Sequence, residues 1–415
     1  MSRGLLFVSC SLLVRAGVAQ VQSLPHDSLV DLDRHWGHHI RLTSSADYNA
    51  NTVYNEMPWN IYLGEYLDRD MRTRSLDDLS YDRNTTGYVI EGRLEWTGPA
   101  CLKKLSGWRP IISLGHHDIR GARFTKDQYA LTFFGNAAYE GARAVLAPSG
   151  YTQINYQTLG AGVQHQRSGS FVRADIVRGH TYAALDVHWA SLFTSTDGRE
   201  LRMAFLGDYQ ASDTAGTGFG RTNGLGLAVS GEWKTHFRAG AKRVDVGVGI
   251  ADLGFVQWSK NSVRIDQDTS FTYTGWEVAN IFDLDAVDIT DSLILDTLGL
   301  RYENGGFATL LPFSASLEFS TTLGRTGYLG LALDQRNIVG YQPHVSVLGS
   351  RRFGHSTQLG LSASYGGFGV LRFGIAAKQR VGEQVLLHFS SPNVSGFFMG
   401  NARGAGAMLG MDVVF

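Results

Sequence analysis

The chain has 415 residues, 37 Lys+Arg against 38 Asp+Glu, 50 glycines, 8 prolines and 11% aromatic residues. Balanced charge argues against a nucleic-acid surface or a polyacidic tail, and a Gly-rich, Pro-poor, aromatic composition is not that of a disordered chain. No apolar run reaches the length of about 18 residues that a membrane-crossing helix needs, so a membrane role requires a closed β-barrel.

The start reads as an export signal over residues 1–19. Arg3 supplies the positive charge, Leu5–Val14 (LLFVSCSLLV) the short apolar core, and Gly17-Val18-Ala19 the small residues at the cleavage position. Cys10 sits poorly for lipidation after Phe7-Val8-Ser9. Removal of the signal leaves Cys101 alone, which allows no intramolecular disulfide.

Residues 20–85 break the strand rhythm that follows. They are charged, with Leu76-Asp77-Asp78-Leu79 and a run of Arg and Asp from Asp68 to Asp78, have room for a short helix, and read as an N-terminal plug or extension. From about Gly87 onward, strand-like segments recur at short spacing, and residues 86–415 are assigned to the barrel. Tyr182–Leu192, Leu201–Tyr209 and Gly224–Trp233 alternate, as does the row Val244, Val246, Val248 and Ile250. Ile281–Leu300 is acidic, with Leu284, Val287, Ile294 and Leu298 at near-helical spacing, and reads as a long loop with a helix near a barrel mouth. Later, Leu359, Leu361, Ala363 and Tyr365 share one face of a strand. Tyr365-Gly366-Gly367-Phe368-Gly369 makes a tight turn, and Leu371, Phe373, Ile375 and Ala377 alternate with Arg372, Gly374, Ala376 and Lys378. Trp96, Trp108, Trp233, Trp258 and Trp276 fall near strand ends, where an interfacial belt or ordinary core edges would place them.

The chain ends AMLGMDVVF. Ala407, Leu409, Met411, Val413 and Phe415 form one apolar face. A soluble sandwich could alternate in the same way. The export signal, the terminal aromatic and the number of strands together favour an all-β fold, a single transmembrane antiparallel barrel of about 14 strands. Leu409, Met411, Val413 and Phe415 are then expected to be the membrane-assembly signal, read by barrel-assembly machinery, with the outer membrane as location.

No coherent catalytic, cofactor-binding or metal-binding set emerges, so no enzyme and no cofactor are expected. His35-Trp36-Gly37-His38-His39 has no Cys or Glu at ligand spacing. In Gly115-His116-His117-Asp118, strand alternation keeps His117 from pairing with Asp118. No Gly-x-Ser-x-Gly elbow accompanies it, and a strand end or loop is the simpler reading. Gly216-Thr217-Gly218-Phe219-Gly220 lacks the lysine of a phosphate loop. Asp266-Gln267-Asp268 and the acids from Asp283 to Asp296 lack EF-hand spacing and read as solvated loops. Arg351-Arg352, Lys378 and Arg380 are candidates for contact with lipopolysaccharide phosphates or for interfacial anchoring.

Three stretches carry a family resemblance. They are Ala122–Asp127 with Leu131–Asn136 and Tyr139-Glu140-Gly141, then Ile250–Asn261 with its Asp-Leu-Gly-Phe-Val-Gln-Trp core, and Leu310-Leu311-Pro312. Over roughly residues 110–415 the chain resembles a family of exported Bacteroidetes outer-membrane β-barrels of unassigned function, akin to the long-chain fatty-acid transporter fold with its fourteen strands and N-terminal plug. The first ninety residues do not match it strongly. The resemblance implies a fold and supplies no catalytic residues. It also implies two functional expectations. One is passage of a hydrophobic or amphiphilic small molecule, with an apolar internal pocket and a gap or kink in the wall. The alternative is a structural or accessory subunit of an outer-membrane secretion or assembly complex, with a blocked lumen and a stable partner. The expected partners are outer-membrane lipid and lipopolysaccharide, the barrel-assembly machinery and an outer-membrane protein complex, with no nucleic acid.

Overall fold

The computed structural model describes residues 37–100, 107–213, 221–273 and 303–415. The signal region, Cys101, Gly216–Gly220, Trp276 and the acidic 281–300 segment lie outside the described residues. The wall strands are β1 His39–Ala50, β2 Asn84–Thr97, β3 Trp108–Phe124, β4 Ser149–His165, β5 Phe171–Thr194, β6 Gly224–Ala239 and β7 Lys242–Trp258. They continue as β8 Ser314–Leu323, β9 Gly327–Arg336, β10 Gln342–Phe353, β11 Thr357–Gly367, β12 Arg372–Val381, β13 Val385–Asn393 and β14 Gly404–Val414. Each pairs antiparallel with the next, and β1 pairs with β14, so the sheet is a closed barrel of 14 strands.

Closure runs from His39↔Val414 to Asn49↔Gly404. Below it, the His38 N–H donates to the Phe415 carbonyl at 2.8 Å and the Phe415 N–H returns to His38 at 3.0 Å. The His38 ring stacks on Phe415. Residues 39–50 are therefore wall, and the barrel begins at His39 rather than at 86. Polar residues such as Ser44, Ser45 and Asp47 hid this strand: its inward row is polar, and its outward row is apolar only at Ile40, Leu42, Ala46 and Tyr48.

Alternation sorts the two faces. Outward rows carry Leu329, Leu331 and Leu333 on β9, Leu359, Leu361 and Tyr365 on β11, and Leu409, Met411 and Phe415 on β14, all exposed. Inward rows carry Ser346, Gln358, Lys378 and Asp412, all buried. This is an inside-out pattern, with apolar side chains facing outward and polar ones facing the lumen, as in barrels that face a bilayer. Lys378 is fully buried inside the barrel, so it cannot anchor on a membrane surface.

The turns at 166–170, 240–241, 324–326, 354–356 and 382–384 share one end with His39 and Val414. The other end carries the long connections. Between β1 and β2 lie α1 Glu56–Leu63 and α2 Arg69–Asp78; between β3 and β4 lies α3 Lys126–Phe134. Met57, Met71, Leu79 and Tyr129 knit these helices into a small core separate from the luminal one. The charged segment expected to plug the barrel thus joins a cap at the long-loop end. The α2 helix begins where the Asp68 carboxylate accepts from the Met71 N–H.

One long strand changes partner. The first half of β5 pairs with β6 and its second half with Leu201–Ala211, which pairs in turn with Val263–Tyr273. Those two strands, including Asp266–Asp268, extend the sheet beyond the barrel rather than forming wall or loop.

Deleting Phe415 removes the outward aromatic and both hydrogen bonds that fasten the end of β14 to His38. The expected outcome is loss of the heat-modifiable folded band in membranes, with unassembled chain accumulating. Normal assembly would show that closure does not depend on this terminus.

Candidate functional site

The lumen is filled by a charged layer built from seven strands. Glu91 on β2 reaches Arg336 on β9 across the barrel, with Nη1 to Oε1 at 2.8 Å. His117 on β3 lies with Nδ1 3.5 Å from Glu91 Oε1 and 3.8 Å from Asp252 Oδ2 of β7. Its ring stacks on Tyr156 of β4, with centroids 4.4 Å apart and planes 3° from parallel. The Tyr156 hydroxyl donates to Asp252 at 3.2 Å, and Ser230 of β6 accepts from the Asp252 N–H at 3.0 Å. On β5, Arg173 Nε donates to Asp175 at 2.8 Å, and its Nη1 lies 3.6 Å from Glu95. Glu91, His117, Arg173, Asp175, Asp252 and Arg336 are all buried. Opposite charges at these separations offset one another where water is excluded, while both ring nitrogens of His117 and the Nε of Arg336 make no hydrogen bond.

Asp252 is also a backbone singularity. Its φ is 57°, the left-handed region that asparagine and aspartate tolerate better than other side chains. Such a residue costs about 1–3 kcal/mol and persists only when its surroundings hold it. Here β7 changes partner: Val244–Ala251 pairs with β8, and Phe255–Gln257 with Ala308–Leu310. The kink turns the Asp252 carboxylate into the charged layer. The kink thus lies in Ile250–Asn261, one of the stretches that carry the family resemblance.

Two further layers complete the filling. Trp258, Tyr156, Val256, Leu311, Phe307 and Phe368 belong to a luminal apolar cluster, where the Trp258 indole donates to Thr309 at 2.8 Å. Toward the short-turn end, Asp412 accepts from Arg41 at 2.7 Å, faces His39 at 2.8 Å and also meets His388. His39 therefore serves a luminal ion cluster, while His38 stacks outward on Trp96 and Phe415. No group of His, Cys, Asp and Glu fit for a metal occurs among the described residues. His116 and Asp118 share the outward face of β3 and His117 points inward, as alternation required, but all three lie inside a strand rather than at its end. The charged layer was not singled out from sequence. Its only trace there was isolated acids and bases on rows otherwise made of Gly, Ser and Thr.

Backbone pairing is interrupted at the seam between β12 and β13. Pairing of β12 with β13 stops at Ile375↔Ser391, although β12 begins at Arg372. Pro392 follows, with no N–H to donate, and the β13–β14 register shifts between Ser390 and Asn393. The groove at this seam has a volume of about 370 Å³. Leu371, Phe373 and Met399 supply apolar lining; Asn393, Asn401 and Arg403 supply polar lining. The Arg403 guanidinium donates to Asp78 at 2.5 Å and to the Asn51 carbonyl at 2.9 Å, so it ties the cap to the groove. Hydrogen bonding from Tyr54, and then the Arg403 charge, hold the Asp78 carboxyl below the usual carboxylate range.

Leu409, Met411, Val413 and Phe415 occupy the outward row of β14, away from both the luminal layers and the groove.

A profile described as "Family of unknown function (DUF5723)" matches residues 117–387. No curated protein matches the chain. Among solved structures, a deletion mutant of the TodX monoaromatic hydrocarbon channel aligns at a TM-score of 0.42 and 7% identity, covering 96% of each chain. The P. putida toluene transporter TodX aligns at 0.39 and 8%, covering 95% of this chain and 96% of that one. The translocator domain of autotransporter NalP from Neisseria meningitidis aligns at 0.32 and 9%, covering 91% and 88%.

Two outcomes test this geometry. Glu91→Ala leaves the Arg336 guanidinium buried without its closest carboxylate, and should cost about 3–5 kcal/mol of unfolding free energy in a denaturant titration of the folded barrel; a change under about 0.5 kcal/mol would remove the layer from any structural role. Because the folded Asp78 carboxyl is depressed, its tether is present above the ordinary carboxylate pKa and is lost as pH falls through the lowered folded value. Proteolysis of the 51–83 cap should therefore accelerate only in acid, and Asp78→Asn should make it fast and pH-independent.

Proposed function

The chain belongs to the DUF5723 family of unknown function, and we propose that within it this protein is an outer-membrane barrel, without enzymatic activity, that passes a hydrophobic or amphiphilic small molecule sideways through the wall. The observation that carries this reading is the seam groove. One side of it is continuous with the lipid-facing row Leu371, Phe373 and Ile375, and the other presents amide and guanidinium groups beneath the cap. A molecule with an apolar tail and a polar head matches both sides at once. The expected internal apolar pocket is instead a packed cluster, so the route runs through the seam and not along the axis. On this reading the long-loop end faces the exterior and the short turns face the periplasm, the usual arrangement for such barrels.

The filled lumen gives specific support to a second reading, an accessory subunit of an outer-membrane complex. Extraction of the protein from native outer membranes in mild detergent, with mass spectrometry of what co-elutes, separates the two. The lateral-passage reading expects a lone barrel carrying bound lipid or fatty acid. Filling the groove with Leu371→Trp and Met399→Trp should then lower the bound amount by roughly tenfold, equivalent to about 1.4 kcal/mol. A stoichiometric protein partner and an amphiphile-free barrel would overturn it in favour of the accessory role. Recovery in the soluble fraction would overturn both.

A further inference from the structure

The α1 helix contrasts with α2 of the same cap. Its sequence, EMPWNIYL, has no charge after Glu56, whereas α2 reads RDMRTRSLDD. Only Met57 of α1 is buried; Trp59, Ile61, Tyr62 and Leu63 are exposed, Tyr62 at 70%. Beside it, the turn that follows β13 exposes Phe397, Phe398 and Met399, with Phe398 at 82%. These two segments are stitched together. The Asn55 N–H donates to the Ala402 carbonyl at 2.8 Å, and its side-chain amide donates to the carbonyls of Gly404 at 3.0 Å and Gly396 at 3.2 Å.

A helix with apolar residues on its exposed side needs an apolar medium. Position decides which. Tyr54, just before α1, and Met399 line the same groove as Leu371 and Phe373, and those two residues head the outward apolar row of β12. The patch is therefore continuous with the belt that faces lipid. Its mixture of Trp, Tyr and Phe with aliphatic residues is that of a membrane–water interface.

We propose that α1 and Phe397–Met399 lie in the surface of the bilayer, with lipid acyl chains and the adjoining interfacial headgroup layer as their partner. The groove mouth between them then opens to lipid rather than to water. The inference rests on the membrane location of the barrel and is independent of whether any molecule passes the seam.

The test is site-directed spin labelling of the full chain, in a Cys101→Ser background, reconstituted in vesicles of phosphatidylcholine and phosphatidylglycerol. Labels go at Tyr62→Cys and Phe398→Cys, with Leu361→Cys on the outward row of β11 and Arg69→Cys on α2 as references. The Tyr62 and Phe398 sites should share the oxygen accessibility of the Leu361 site and lose collision with a water-soluble nickel chelate. Accessibility equal to that of Arg69, with Leu361 still in lipid, would overturn the proposal and leave the barrel reading standing. An aqueous Leu361 site would overturn the membrane reading itself. Brominated lipid provides a label-free second measurement, since Trp59→Phe should remove a quenchable component of the tryptophan emission; no change in quenching counts against the proposal.

Discussion

Closure between β1 and β14 is the constraint from which the other features follow. In hydrocarbon, an unpaired backbone amide or carbonyl costs several kcal/mol, and an open sheet would present a whole row of them. Eleven paired positions from His39↔Val414 to Asn49↔Gly404 remove both edges at once. Once the sheet is closed, its faces are no longer equivalent. The outward face must be apolar, and the inward face must fill a cylinder whose volume is set by the strand number.

That volume is filled with charge as well as with grease. Glu91, His117, Asp252 and Arg336 meet inside the barrel although they come from strands distant in sequence. A buried ion network of this kind is seldom a net gain over an apolar core, but breaking it is expensive. It therefore holds the lumen in one arrangement. The strained φ of Asp252 belongs to the same account, because the kink is tolerated where Ser230 accepts from the Asp252 N–H and Tyr156 and His117 hold its carboxylate.

The sequence made the outward face easy to read and the inward face hard. Lipid imposes one requirement on every outward residue, so Leu359, Leu361, Leu371 and Phe373 repeat at a period of two and the barrel is visible from the residues alone. The lumen imposes a different requirement at each height, and its partners come from other strands. Nothing local to Glu91 points to Arg336, which lies across the barrel. The same reason hid β1: its inward Ser45, Asp47 and Asn49 are polar because they face the lumen, and in a one-dimensional reading a polar stretch beside charged helices looks like an extension. Leu201–Tyr209 failed in the opposite sense. It alternates as a wall strand does, yet β5 is long enough to hold it above the barrel.

The filled lumen and the interrupted seam belong together. A barrel whose lumen is crossed by ion pairs from five strands, β2, β3, β5, β7 and β9, cannot open axially without breaking several of them at once. At the β12–β13 seam, by contrast, the hydrogen bonds are already missing where Pro392 provides no donor and the register of Asn393 shifts. Movement there costs few backbone bonds, because the groove side chains are held mainly by the cap through Arg403, Asp78 and Asn51. With the interior held in this way, the β12–β13 seam is a stretch of wall where backbone bonds are already absent. That stretch is bordered by outward-facing Leu371 and Phe373 and by the aromatic patch of α1, so on the proposed reading a change in its width is felt on the outside of the barrel and not in the lumen.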